Sequence, residues 1–351
     1  MNLEQIRKDI DQIDSMILKI LTRRMELVLV AGKLKSRIED REREREVLET
    51  IKEKSTRPID AGFIEKIYAE IIKESKNLQG KNYKLVAFQG EHGAFGEVAS
   101  RVWNSELIPV PCPEFRQVLE GVESKLYDYG IVPVENSLGG SVEQVNRLLI
   151  NTELSVVGAV ELPIHLCLLA PPGTDYREIR KVYSHPQALA QSRKFLQRNK
   201  LEPVEYSDTA GAAKMLAEER LKRSAAIASK LCAKLYDLEI IKENIEDLDR
   251  NLTRFLLLSR EKSGEQGKKC SIIFSTEHKA GTLFRVLEVF AEAGINLTRI
   301  ESIPNEPGNY AFFLDFVGSD RDLKVVQALE KIAERTTDLK MLGCYTERKP
   351  E

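Results

Sequence analysis

The sequence predicts a multidomain chain in three parts: an all-α region over 1–81, an α/β segment over 82–262 and a small α+β domain over 268–351. Three observations predict it. Residues 1 to about 80 contain glycine only at Gly32, Gly62 and Gly80 and proline only at Pro58, among long runs of helix formers. From Lys84 to about Arg260, short β-rich runs (Leu85 to Phe88, Gly130 to Val134, Lys181 to Tyr183, Ala225 to Ala228, Phe255 to Leu258) alternate with helical patterns, as in an open α/β sheet. After the charged stretch EKSGEQGKK (Glu261 to Lys269) the order is strand, helix, strand, strand, helix, strand: Ser271 to Thr276, Thr282 to Ala293, Asn296 to Pro304, Tyr310 to Val317, Asp322 to Arg335 and Lys340 to Thr346. A length of 351 residues suits two or three domains.

Composition removes several function classes. With 53 Lys+Arg against 55 Asp+Glu the net charge is -2, so no nucleic-acid or membrane surface is expected. The five cysteines stand singly and the four histidines never pair on a helix turn, so neither a metal site nor a cofactor is expected. The chain begins on an amphipathic pattern, and no apolar run approaches the ~18 residues of a membrane span. A cytoplasmic location is the expectation.

In the first helix Leu3, Ile6, Ile10, Ile13, Ile17 and Ile20 alternate three and four apart, and the pattern resumes at Leu27, Ala31, Leu34 and Ile38. Arg24 interrupts this seam and needs a counter-ion there, from the protein or from a ligand. Stepping back from Val47, Leu48 and Ile51 in the second helix places Asp40, Arg43 and Glu44 on the inward stripe of the run DREREREVLE. The third helix carries its stripe of Ile64, Ile67, Tyr68, Ile71 and Ile72 into Ser75 and Gln79. Polar intrusions on three helices suggest a shared polar pocket. Arg24 and Lys35, eleven residues apart, fall near one face with Cα atoms ~16 Å apart, whereas Arg7 lies ~25 Å from Arg24 and off that face. If Arg7 contributes, it comes from a second subunit of an isologous dimer.

At these positions the region resembles the all-helical chorismate mutase family in its intertwined-dimer form. The resemblance implies rearrangement of chorismate to prephenate, with Arg7 and Arg24 clamping carboxylates, assisted by Ser75. Lys35 and Gln79 would donate to the ether oxygen as its bond breaks, and Asp40, Arg43 and Glu44 would orient the ring hydroxyl, Glu44 as its acceptor.

In the α/β segment, VAFQGEHGAFGEVAS sets a strand before Gly90, Gly93 and Gly96, without the spacing of a dinucleotide fingerprint or a P-loop. Other strand ends close on polar clusters: Glu135, Asn136 and Ser137 after Val134; SHPQ from Ser184; SDT from Ser207; and NLTRF (Asn251 to Phe255) opening the last strand. Ser184, Ser207 and Asp208 also suit helix N-caps, and Pro186 a first helical turn. His185 before that proline suits a structural turn as well as an acid. Together these clusters mark the end of a sheet where α/β ligands bind.

GEHGAF, VPVENSLGG, SHPQALAQ, SDTAGAA and NLTRF resemble, in order, the prephenate dehydratase family. The resemblance implies a two-lobed fold similar to periplasmic binding proteins and loss of the ring hydroxyl and CO2 from prephenate, giving phenylpyruvate. It assigns the leaving hydroxyl to Thr253, anion placement to Arg254, support of the motif to Phe255, and the rest of the cleft to Glu135, Asn136, Ser137, Ser184, Gln191 and Thr209. A threonine hydroxyl is too weak an acid to ionise at neutral pH, so Thr253 is expected to act by a directed hydrogen bond or proton relay. An arginine tight on the departing carboxylate would oppose decarboxylation, so Arg254 is expected on the pyruvyl carboxylate.

The last segment resembles the ACT domain, a ferredoxin-like βαββαβ unit that binds phenylalanine. KAGTLFRVL (Lys279 to Leu287) and ESIP (Glu301 to Pro304) carry the likeness, which assigns effector binding to Gly281, Thr282, Leu283, Glu301 and Ser302. Ile303 stands where arginine is typical. The resemblances together imply a homodimeric or larger bifunctional enzyme feedback-inhibited by L-phenylalanine. An arogenate dehydratase, or an amino-acid sensor that would need neither Thr253 nor the inward charges, are the alternatives.

Overall fold

The computed structural model describes residues 2–264, 266–306 and 309–350, and side chains outside 305–309. Met1, Glu265 and Glu351, which fall in the helical, connecting and C-terminal stretches expected above, lie outside the described residues. The chain divides into two compact units, Met1–Leu85 with Lys125–Tyr127, and Val86–Ser124 with Asp128–Glu351.

The first unit is built from α1 (Leu3–Leu34), α2 (Arg41–Lys54) and α3 (Ala61–Gly80). Each helix starts on a side-chain cap that satisfies amide groups the helix itself leaves free. Asn2 accepts from Gln5, Asp40 from Arg43, and Asp60 from Gly62 and Phe63. α1 stops at Leu34 because Lys35 turns extended (φ -91°, ψ 140°), so the apolar period that ran on to Ile38 overshoots the helix. Asp40 is correspondingly a cap and not a member of the α2 stripe. α1 and α2 both pack on α3. The first two-thirds of α1 has no such cover, and Leu3, Ile6, Ile10, Ile13, Ile17 and Ile20 are all exposed.

The second unit holds three sheets. Its first part runs β1 (Leu85–Gln89), α4 (Phe95–Trp103), β2 (Ile108–Cys112), α5 (Phe115–Glu123), β3 (Tyr129–Asn136), β4 (Gly140–Ser141), α6 (Glu143–Asn151) and β5 (Ser155–Pro163). A second lobe follows with β6 (Cys167–Ala170), β7 (Lys181–Ser184), α7 (Pro186–Gln191), α8 (Arg193–Arg198), β8 (Glu202–Glu205), α9 (Thr209–Glu219), β9 (Ser224–Ala228), α10 (Lys230–Tyr236) and β10 (Glu239–Lys242). The chain then returns through β11 (Leu252–Ser259) to the first sheet, in which these strands are ordered β5-β11-β3-β1-β2 with β4 on β3. The second sheet is ordered β10-β6-β9-β7-β8. β2, β4, β5, β6, β8 and β10 are absent from the β-rich runs of the sequence. β2 reads IPVPC, and its two prolines are tolerated because it lies at the sheet edge.

The C-terminal elements are β12 (Lys269–Ser275), α11 (Thr282–Glu292), β13 (Leu297–Glu306), β14 (Asn309–Val317), α12 (Leu323–Ala333), β15 (Asp338–Tyr345) and β16 (Glu347–Arg348). Four of these strands form an antiparallel sheet ordered β13-β14-β12-β15, closed by a core including Phe274, Phe290, Leu314 and Phe316. β16 leaves that sheet and pairs with β5. At the crossing, the backbone of β15 lies so close to β5 that a Cβ on Gly343 would stand 2.1 Å from the Val156 carbonyl oxygen, so only glycine fits. Lys340 adds a second tie by donating to the carbonyls of Leu149, Ile150 and Thr152 at the end of α6, which otherwise lack helical partners.

Candidate active sites

In the helical unit several of the expected residues are tied to a neighbouring element. Arg24 Nη1 donates to Ser75 Oγ at 2.7 Å, joining α1 to α3, and the Ser75 hydroxyl donates to the Ile71 carbonyl at 2.7 Å. One turn on, Gln79 Nε2 donates to the Val28 carbonyl at 2.8 Å. That amide lies over Gly32, where a Cβ would stand only 3.1 Å from Gln79 Cγ. Lys35 approaches Asp40 at 4.0 Å. Glu44 accepts from Lys76 at 3.1 Å, a partner the apolar-stripe argument passed over because Lys76 follows Ser75 around the α3 face. Arg43 departs from the expectation. It is 67% exposed at the side chain and turns along its own helix to Glu46 at 2.9 Å, so helical phase alone misplaced it on the inward face. Arg7 is exposed near the start of α1 and is not brought to Arg24 within the chain.

The second constellation centres on the start of β11. Thr253 and Asn136 are opposite partners on neighbouring antiparallel strands, and Asn136 Nδ2 donates to Thr253 Oγ1 at 2.8 Å. Asn136 cannot be turned the other way round, because its Oδ1 already accepts from the amides of Leu138 (3.0 Å) and Gly139 (2.7 Å). Thr253 Oγ1 is therefore an acceptor towards Asn136, and among the described residues no acceptor takes its hydrogen. The same Nδ2 reaches Asn251 Oδ1 at 2.7 Å, and Asn251 Nδ2 donates to Gln191 Oε1 at 3.0 Å, linking β11 to α7. Ser137 pins the segment by donating to the Arg250 carbonyl and accepting from the Leu252 amide. Asn251 was not singled out as a site residue in the sequence, although it opens the NLTRF motif.

Three residues behave differently from the expectation or refine it. Arg254 follows Thr253 on the strand, so its side chain points to the opposite face. There it is 4% exposed and fully engaged: Nε with Glu347 at 2.7 Å, Nη1 with Asp315 and with Glu135 (3.4 Å), and Nη2 with the Tyr345 hydroxyl at 2.7 Å. Burial works against its charge, but the Tyr345, Asp315 and Glu347 oxygens outweigh that, and the guanidinium is held protonated more firmly than an ordinary arginine. The expected placement of the pyruvyl carboxylate by Arg254 is thus corrected, because no donor faces the cleft. Ser184 is also corrected: it is 0% exposed and its hydroxyl is given to the Ile227 carbonyl at 2.6 Å. Phe255 is buried in the apolar core, in keeping with support of the motif.

Of the three candidate caps around this centre, Asp208 heads a helix, whereas His185 stands in place of Ser184 and Ser207 precedes the cap. Asp208 caps α9 by accepting from Gly211, which sets Thr209 in the first turn of that helix. His185 caps α7 through Nδ1, with Pro186 in the first turn, so it is structural. At the GEHGAF turn, fully buried Glu97 accepts from the Gly93 amide (2.8 Å), His92 and Arg101. Burial raises its pKa, but these donors more than offset it and the carboxyl is held below its ordinary value. In the C-terminal sheet, Gly281 (φ 84°) caps α11, and Thr282 Oγ1 donates to the Lys279 and Glu277 carbonyls. Leu283 packs against the core of that domain. Glu301 accepts from Arg299 on β13, Ser302 is exposed, and Ile303 is buried.

Three segments of the chain match known families. The chorismate mutase type II model matches residues 6–80, the prephenate dehydratase model residues 86–263 and the ACT domain model residues 271–334. The bifunctional chorismate mutase/prephenate dehydratase of Aquifex aeolicus (strain VF5) is 36% identical over 357 residues, spanning 98% of this chain and 97% of its own length. The arogenate dehydratase/prephenate dehydratase 2 of Arabidopsis thaliana is 42% identical over 274 residues, covering 74% of this chain and 72% of its own. The crystal structure of prephenate dehydratase in complex with L-Phe from Arthrobacter aurescens superposes with a TM-score of 0.69 at 30% identity, over 75% of this chain and 89% of that one.

Proposed function

Because the chain belongs to the bifunctional chorismate mutase/prephenate dehydratase family and catalyses both steps, we propose that each cluster described above carries one reaction in its own segment. Residues 1–81 rearrange chorismate, 82–262 convert prephenate to phenylpyruvate, and 268–351 respond to an effector. In the first, Arg24 with Ser75 holds a substrate carboxylate, and Lys35 and the second amide hydrogen of Gln79 stabilise charge on the ether oxygen. Glu44, held by Lys76, takes the ring hydroxyl with Asp40 beside it, and Arg43 swings in from Glu46 on binding. Arg7 reaches this pocket from a second chain. The support for that dimer is the exposed α1 stripe of Leu3, Ile6, Ile10, Ile13, Ile17 and Ile20, a self-complementary face that a second copy would cover.

The single observation that carries the second assignment is the Asn136 to Thr253 hydrogen bond. It leaves the Thr253 hydrogen directed to the leaving hydroxyl, to which Thr253, never ionised, relays a proton taken up from solvent. As the ring C–OH bond breaks, the hydroxyl takes a proton and leaves as water. The electron pair of the C–CO2 bond moves into the ring as CO2 departs, and aromatisation drives the step. Arg254, turned to Asp315 on the other face, does not clamp the departing carboxylate, which such a clamp would stabilise against loss. Ser137, Gln191 and Thr209 complete the cleft, whereas Glu135, expected there, turns away from it to Arg254 and Arg299. Prephenate is preferred over arogenate, since the chain makes prephenate itself. Asn136→Ala should lower dehydratase kcat by about 10²-fold, in the range found for lost oxyanion donors, with mutase turnover unchanged; prephenate turnover within twofold of the parent would sink the assignment.

Gly281, Thr282, Leu283, Glu301 and Ser302 are assigned to L-phenylalanine, supported by the L-Phe complex of the related dehydratase. Among the described residues no helix is long and apolar enough to cross a membrane, and we place the enzyme in the cytoplasm.

A further inference from the structure

We propose that a relay of ion pairs, Glu301–Arg299–Glu135–Arg254, in which the two arginines are buried, joins the effector-motif strand to the strand that carries Thr253, and that Arg299, contributed by the C-terminal sheet, is a positioning residue of the dehydratase site. This rests on the reading of residues 82–262 as the dehydratase. Arg299 lies on β13, is almost fully buried, and stacks over Phe313 at 4.4 Å from the ring centroid. Its Nη2 donates to Glu301 and to the Val134 carbonyl (3.3 Å), and its Nε pairs with Glu135 Oε2 at 3.4 Å. The other oxygen of Glu135 meets Arg254 Nη1 at 3.4 Å. One carboxylate is therefore held between two guanidinium groups, one from each domain.

The register makes this contact consequential. Thr253 is opposite Asn136 and Arg254 is opposite Glu135, on adjacent rungs of the same strand pair. Side chains alternate along a strand, so one rung faces the cleft and the next faces the C-terminal sheet. Any shift of Glu135 is passed through one peptide to Asn136, and from there to the hydroxyl of Thr253. Arg254 is itself anchored in the C-terminal sheet by Asp315 and Tyr345, which share Ser271, and on the crossing strand by Glu347, which Lys269 also approaches at 3.3 Å. Buried charges tolerate little loss of pairing, so a change at one member re-sorts the others.

The far end of the relay is suited to a signal. Glu301 is the member on the effector motif and is only partly buried. An amino-acid effector brings an ammonium group, which needs a carboxylate. Drawing Glu301 to that ammonium frees Arg299 to bear on Glu135 alone. Among the described residues Arg299 Nη1 has no hydrogen-bond partner in spite of its burial, so the guanidinium has a spare donor for such a rearrangement.

The test assays both activities on the same full-length chain for Arg299→Met, Arg299→Lys and Glu301→Gln, with chorismate mutase as the internal control of folding. Arg299→Met is expected to lower dehydratase kcat at least tenfold with KM within threefold, Arg299→Lys to recover part of that loss, and Glu301→Gln to change kcat at least threefold. Mutase turnover stays within twofold throughout. The relay is overturned if Arg299→Lys and Glu301→Gln both keep dehydratase kcat within 1.5-fold of the parent, whatever Arg299→Met does, or if the loss falls on KM alone. A parent chain that leaves prephenate untouched instead overturns the dehydratase reading itself.

Discussion

At the scale of single residues, contiguity in a motif and convergence in space are different properties. NLTRF places Thr253, Arg254 and Phe255 side by side, yet the strand sends Thr253 to Asn136, Arg254 to Asp315 and Glu347, and Phe255 into the core. The motif made Thr253 legible in the sequence, but nothing in it revealed that Arg254 has its partners some 60 to 90 residues downstream. Ser184 was misplaced for a similar reason, since its acceptor is the carbonyl of Ile227 on a neighbouring strand. Glu97 supplies a pH prediction at this scale. Its folded pKa lies below the ordinary value of 4.5, so it contributes stability above that value which is lost as pH falls through the lower folded value. Urea unfolding between pH 3 and 7 should show this acid loss in the parent and a shallower one in Glu97→Gln. The variant should also be about 2–3 kcal/mol less stable at neutral pH, through donors left without a charged acceptor. An unchanged acid limb would remove Glu97 from the account.

Among the elements, the C-terminal βαββαβ order was readable almost residue for residue, because each strand and helix there has its own clean period and turn. The missed strands are mostly short, polar or proline-bearing, and their strand geometry comes from neighbours rather than from local preference. In the helical unit the apolar period overran α1 to Ile38, since periodicity does not register the extended turn at Lys35. The same period nevertheless marked a stripe that the single chain leaves exposed. Ile13→Asp on that stripe should shift the protein to a smaller species in sedimentation and reduce chorismate turnover at least tenfold, while prephenate turnover persists. An unchanged sedimentation coefficient with full mutase activity would show that another face makes the dimer.

For the whole molecule, the sequence suggested a linker between the dehydratase and C-terminal segments, but the chain does not leave them independent. β16 joins β5, Gly343 brings β15 against Val156, and the Arg254 and Arg299 ion pairs cross the same boundary. Such contacts lie far apart in sequence, so no local pattern announces them. The central claim is that one chain performs two successive reactions at two separate sites. Its most direct measurement supplies purified protein with chorismate and follows prephenate and phenylpyruvate together. The account predicts that the parent chain forms phenylpyruvate and that Thr253→Ala accumulates prephenate. It also predicts that Arg24→Ala leaves chorismate unconsumed yet still converts added prephenate. Loss of both activities in both folded variants would contradict it.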